Sequence, residues 1–138
     1  MKTKKIRVII MSTFIMIFAL SSTCLAYSKE FGGHWYGGDT INGSDNGVYY
    51  YLDNKDTTIK GDVKITYPAP DKTERLYIEV RKKSFFGSSR EHFYTSRTYK
   101  KSRHFSTKFK PSKNGKYYLV LTKAQRGIYG SISGTITQ

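Results

Sequence analysis

Polar and apolar residues alternate with a period of two along much of this chain. No stretch keeps the i, i+3, i+4, i+7 apolar spacing of an amphipathic helix over three turns. Ile59, Gly61, Val63, Ile65 and Tyr67 alternate with Lys60, Asp62, Lys64 and Thr66, which reads as a half-buried strand. Pro68 and Pro70 then remove ladder donors and force a turn. Leu76, Ile78 and Val80 alternate with Tyr77, Glu79 and Arg81 as the next strand, and Gly87-Ser88-Ser89 reads as a turn between Phe85-Phe86 and His92–Thr95. Phe105, Thr107 and Phe109 lead to Asn114-Gly115, a hairpin signal between apolar runs. Tyr117–Thr122 is the most apolar strand and is expected to be central.

Ile128, Gly130, Ile132, Gly134 and Ile136 share one face of the last strand, with Tyr129, Ser131, Ser133, Thr135 and Thr137 on the other. Glycines on the inward face leave room for bulky rings from an opposing sheet. Val48–Leu52 adds a further strand. About seven strands with turn chemistry between them predict an all-β fold, a single antiparallel β-sandwich over 48–138. Residues 27–47 are rich in Gly and Asn and read as an irregular arm leading into it.

The N-terminus has a different composition. Lys2–Arg7 is basic, Val8–Leu20 is a thirteen-residue apolar run interrupted only by Ser12 and Thr13, and Ser21–Ala26 is mostly small residues. That is the layout of a secretory signal peptide over 1–26, and the run is short of the roughly 20 residues that a membrane helix needs. A secreted, extracellular product is expected, free or retained at the cell wall, with cleavage after Ala26. Cys24, the only cysteine, would leave with the signal. The exported chain then has no disulfide and no thiolate, and relies on its aromatic residues for a core.

Charge is unevenly divided within a net +14. Tyr27–Val80 holds six basic and nine acidic residues, whereas fourteen Lys/Arg face Glu91 alone from Arg81 to the C-terminus. Arg81, Lys82, Lys83, Arg90, Arg97, Lys100, Lys101, Arg103, Lys108 and Lys110 are interleaved with Phe85, Phe86, Phe93, Tyr94, Tyr99 and Phe105. Such interleaving suits a polyanion, charge giving attraction while rings pack on sugars or acyl chains. Export takes the protein away from nucleic acid. The anions left are anionic cell-wall polymers such as teichoic acids, cell-wall precursors with their pyrophosphate, and an anionic membrane surface. Basic residues on exposed strands weigh against edge pairing, so a monomer is expected.

Catalytic chemistry is poorly represented, and neither an enzyme nor a cofactor is expected. His34, His92 and His104 form no metal-ligand pair at the usual spacing, and no nucleophile-elbow pattern is present. Asp39–Gly47 offers hard oxygen ligands, but without the EF-hand spacing or its closing glutamate.

Gly32-Gly33-His34-Trp35-Tyr36-Gly37 resembles the G-G-x-W-x-x-G opening of mature lactococcin 972-type bacteriocins, and Asn46–Tyr51 resembles the tyrosine-rich strand that follows it there. The resemblance covers Gly32–Gly61. It departs where Tyr50 replaces the family's serine, and where Leu52–Asp56 lacks its histidines. It implies a β-sandwich bacteriocin acting on a cell-wall precursor of Gram-positive cells, with Trp35 and Tyr49 serving the fold or the target contact. On both grounds the expected function is binding of anionic bacterial envelope components. Trp35, Tyr36 and Tyr49 would act beside the basic residues from Arg81 to Arg103, plausible for a bacteriocin-like antimicrobial. A non-toxic adhesin-like or immunity module, with charge serving solubility and wall retention, is the alternative.

Overall fold

A computed structural model describes residues 26–36, 40–67, 73–123 and 128–138. The signal-peptide reading, Ala26 apart, and the Pro68–Asp71 turn lie outside this set. The described residues contain nine strands: β1 (Ser28–Trp35), β2 (Ile41–Asn42), β3 (Tyr50–Leu52), β4 (Thr57–Tyr67), β5 (Leu76–Ser84), β6 (Gly87–Thr95), β7 (Ser102–Phe109), β8 (Gly115–Lys123) and β9 (Tyr129–Thr137). They form two antiparallel sheets. The first has the order β1-β9-β4-β7, and the second β2-β8-β5-β6 with β3 also on β8. This is the all-β sandwich that the alternation predicts, and β8 lies inside the second sheet as its apolar content requires.

The two inner faces meet in one core. Phe31, Trp35, Ile59, Val63, Phe105, Ile132 and Ile136 come from the first sheet. Tyr50, Leu52, Leu76, Ile78, Val80, Tyr117, Leu119 and Leu121 come from the second. Burying an aliphatic or aromatic side chain is worth about 1.5–3 kcal/mol, so this cluster supplies the stability that no disulfide provides.

The structure departs from the sequence reading at three places. Residues 28–35, read as part of an irregular arm, form an eight-residue edge strand paired along its whole length with β9. Gly33 is a strand position without room for a side chain, since a Cβ there would meet Ile41 Cδ1 at 2.8 Å. Trp35 pairs with Gly130 and Phe31 with Gly134, and a side chain added at Gly134 would meet the Phe31 ring at 2.6 Å. The rings over the β9 glycines therefore come from the neighbouring strand of the same sheet, not from the opposing sheet. The second departure is the strand count, nine rather than about seven, since β1 and the two-residue β2 add to the set. The third is the β5–β6 hairpin. Ser84 pairs with Gly87, so Phe85 and Phe86 form the turn and Gly87-Ser88-Ser89 begins the returning strand.

Candidate functional site

Alternation along each strand gives the two sheets separate outer faces. On the second sheet, the side chains opposite the core are Tyr77, Glu79, Arg81 and Lys83 of β5, Lys116, Tyr118, Val120 and Thr122 of β8, and Tyr51 of β3. On β6, Phe93 pairs with Glu79, and a bulge after Val80 brings Arg90 opposite Arg81. The segment Tyr49-Tyr50-Tyr51 is divided by the same rule: Tyr50 enters the core, while its two neighbours look outward. Burial pushes the Tyr50 phenol up to about 12, as a group withdrawn from water requires.

Tyr49 organises this face. Lys83 Nζ donates to its hydroxyl at 2.9 Å, and Ser44 Oγ lies 3.2 Å from the same oxygen. The Lys83 hydrogen bond holds the Tyr49 phenol below its ordinary value and lifts the ammonium above its own. Lys116 Nζ sits 4.0 Å from the centre of the Tyr49 ring and 5.8 Å from that of Tyr51, with Lys83 Nζ at 4.8 Å from the Tyr49 ring. The Tyr118 ring meets Tyr49 edge-on at 6.1 Å. Two ammonium groups are thus held against aromatic faces, an attraction worth about 0.5–1 kcal/mol each at exposed sites.

Beside them Glu79 lies between two guanidinium groups, 2.8 Å from Arg81 Nε and 3.7 Å from Arg90 Nη1. One carboxylate between two cations leaves a positive charge over. The Arg90 guanidinium lies 5.6 Å from the Phe93 ring, which stacks on Tyr77 at 6.0 Å. Cations and exposed ring edges presented together suit a flexible anionic chain. They offer donors to phosphate and apolar surface to whatever carries it.

No protein-family model matches the chain, and no curated protein does. Solved structures with which the chain aligns include the Gx strain of infectious bursal disease virus, 13% identical over 81% of this chain and 31% of that one, at a TM-score of 0.46. The VP2 subviral particle of the same virus is 11% identical over 81% of this chain and 32% of that one, at a TM-score of 0.47. A chain of Desmodium yellow mottle tymovirus is 14% identical over 81% of this chain and 85% of that one, at a TM-score of 0.34. The chain spans about a third of the length of the bursal virus proteins.

The residues singled out from the sequence do not all meet. Arg81, Lys83 and Arg90 share the second sheet's outer face with Tyr49. Lys82 turns to the inward side, its Nζ 5.9 Å from the Tyr117 ring. Arg97, Lys100 and Lys101 lie in the β6–β7 connection, beyond Thr95, which pairs with Tyr77. At about 3.3 Å per residue, the Tyr77–Thr95 pair stands roughly 23 Å from the hairpin tip. Arg103 is on the inward-facing side of β7, half-buried, and its Nε has no hydrogen-bond partner. Trp35 is only 2% exposed, and its Nε1 donates to the Leu121 carbonyl, so it is a core residue and not a surface anchor. Tyr36 is exposed, but it lies beyond the end of β1 with its ring edge-on to Tyr129. Lys116 and Tyr51, not singled out from the sequence, belong to the face. Their signal was register: Lys116 pairs with Tyr51 across β3 and β8.

The histidines are dispersed. His34 is exposed on β1, and His92 stacks on Phe109 at 5.1 Å with its Nε2 2.8 Å from Thr107 Oγ1. His104 Nδ1 is 3.3 Å from Asp62 Oδ1 on the exposed face of the first sheet. The row there runs His104, Asp62, Ser133 across three strands. The carboxylate stands in the middle, whereas a catalytic triad needs the imidazole between acid and hydroxyl. Among the described residues no group of three or more His, Cys, Asp and Glu could hold a metal. In the Asn42–Gly47 turn, Asn42 Oδ1 accepts the Ser44 N–H and its carbonyl accepts that of Asp45.

Proposed function

We propose that this is a secreted protein that binds anionic polymers of the bacterial cell envelope through the outer face of its second sheet, in the manner of a cationic antibacterial. The observation that carries the reading is the pair Lys83 and Lys116 held on Tyr49, with Arg81 two residues along β5 from Lys83 and Arg90 on the neighbouring β6. Cations fixed on rings lose little freedom on binding, so attraction to a repeating phosphate is not spent on ordering long side chains. Export rests on the N-terminal signal pattern, and the antibacterial role on the Gly32–Gly61 resemblance to the lactococcin 972 type. In that reading Trp35 serves the fold and Tyr49 the target.

The test uses the secreted form, residues 27–138, against immobilised wall teichoic acid and growing Gram-positive cells. The reading expects retention that weakens steeply between 0.05 and about 0.3 M salt as the Debye length contracts below about 10 Å, together with growth inhibition. Retention without inhibition assigns the face to an adhesin-like or immunity module. No retention at low salt ends the reading.

A further inference from the structure

The tip of the β5–β6 hairpin is the most apolar exposed point among the described residues. Phe85 and Phe86 are 95% and 97% exposed, and their rings meet edge-on at 5.0 Å. Neither ring belongs to the core cluster. Isolated apolar residues on a surface are ordinary, but two adjacent, almost fully exposed phenylalanines at a projecting turn are not.

Turn chemistry does not account for them. Two-residue hairpin turns favour positive φ at the central positions, hence Asn-Gly or Asp-Gly. Among the described residues no side chain other than glycine has positive φ, so neither Phe85 nor Phe86 adopts the conformation the tight turn favours. The positive φ falls on Gly87, at 138°, just after the turn. Elsewhere the chain does use turn formers, with Asn46-Gly47 at a φ of 69° for Gly47. A local choice that works against the turn marks a position held for another purpose.

The surroundings say what that purpose is. Within six residues of the tip stand Arg81, Lys82, Lys83 and Arg90, against Glu79 and Glu91. Glu79 is already engaged by both arginines, and Glu91 accepts the Ser112 N–H at 3.2 Å. Ser84 Oγ donates to the Gly87 carbonyl, closing the turn beneath the rings. A narrow apolar point collared by cations matches an anionic lipid surface. Rings enter the interfacial layer, which is about 5–10 Å deep, while ammonium and guanidinium groups stay at headgroup phosphate. A protein groove lined with acids would satisfy the collar as well. The lipid surface is favoured because the hollow beside Phe85 is walled by Ser44, Lys83, Ser84, Ser88 and Tyr118, polar groups for the most part and not the apolar walls that would hold a peptide side chain.

We infer that Phe85 and Phe86 form a wedge that enters an anionic lipid bilayer, with Arg81, Lys83 and Arg90 gripping the headgroups. The inference rests on the proposed envelope function for its partner, because it names the membrane as the surface to which the same sheet is brought.

Cosedimentation of residues 27–138, which hold all nine strands, with vesicles of phosphatidylcholine containing phosphatidylglycerol tests it. Phe85→Ser/Phe86→Ser should weaken partitioning by about 30-fold or more, while Phe85→Leu/Phe86→Leu should restore most of it. The serine variant should keep its thermal midpoint and its salt-sensitive retention on soluble teichoic acid, since the tip touches neither the core nor Tyr49. A Phe85→Trp variant should show quenching by brominated lipid, which the buried Trp35 of the unmodified protein does not. Equal vesicle binding by the serine variant overturns the wedge, as does equal binding to vesicles of phosphatidylcholine alone. Absent teichoic acid retention with intact, phenylalanine-dependent vesicle binding overturns the polymer reading and leaves the wedge standing.

Discussion

On the outer face of the first sheet, Lys60, Lys64 and Lys108 stand in rows with Ser106, Thr135, Ser131, Ser102, Thr58 and Thr137, and Asp62 sits between His104 and Ser133. On the outer face of the second, Lys83 and Lys116 are held on the Tyr49 ring, and Arg81 and Arg90 share one carboxylate beside the stacked Tyr77 and Phe93 rings. Both faces are basic. The first spaces its ammonium groups among hydroxyls and carboxylates, Glu30 standing in the row of Lys60 and Thr135. The second fixes them on aromatic surface, so that charge and apolar area reach a ligand together. The proposed site rests on that coincidence, which a count of lysines does not reveal.

The largest effect distinguishes what the faces share from what they do not. Trp35→Ala should destabilise the protein by about 3–5 kcal/mol in urea unfolding, because it empties a core position and abandons the Leu121 carbonyl. Any binding it loses should return at low temperature or in a stabilising osmolyte, since no part of either face is removed. Smaller, and confined to one face, is the effect of charge. Lys83→Glu/Lys116→Glu should weaken teichoic acid binding by about 30-fold or more, while Lys60→Glu/Lys64→Glu, with the same change in net charge, should stay within about twofold. Surface plasmon resonance at fixed salt reads both. Equal losses would mean that net charge alone governs binding and that the faces do not differ.

The smallest effect is on pH. Burial lowers the pKa of His92, so the unfolded chain takes up a proton first as pH falls through about 6.5. Stability from this group is complete above that value. It declines on acidification until the folded histidine also titrates. The thermal midpoint should fall by less than about 4 °C between pH 7 and 5 beyond that of a His92→Gln control. The hydrogen bonds from Lys83 to Tyr49 and from Arg81 to Glu79 hold both cations above their ordinary values, so binding by folded protein should be unaffected.

Much of the scaffold could be read from alternation alone. Ile59–Tyr67, Leu76–Val80, Tyr117–Thr122 and Ile128–Ile136 each follow a period of two that only a strand buries on one side. The first strand could not be read so, because Gly32 and Gly33 look like loop residues until Phe31 and Trp35 are seen to lie over Gly134 and Gly130. That pairing joins positions about a hundred residues apart. The face was only partly legible for a related reason. The basic stretch from Arg81 to Lys110 crosses from one sheet to the other through the Glu74–Tyr99 bridge, and the bulge after Val80 shifts alternation on β6. Neither event has a local signature, so one charge run is divided among two faces, a connection and the inward side of β7. Gly87-Ser88-Ser89 has better turn chemistry than Phe85-Phe86. The chain turns at the rings instead.

Amide chemical-shift mapping of residues 27–138 titrated with a short, soluble teichoic acid chain tests the proposed binding face most directly. The largest shifts should fall on Tyr51, Lys83, Lys116 and Tyr118 and move together with one affinity. Largest shifts at Lys60, Ser131, Ser133 and Thr135, or shifts spread evenly over both sheets, would contradict the claim that the tyrosine-held lysines form the binding face.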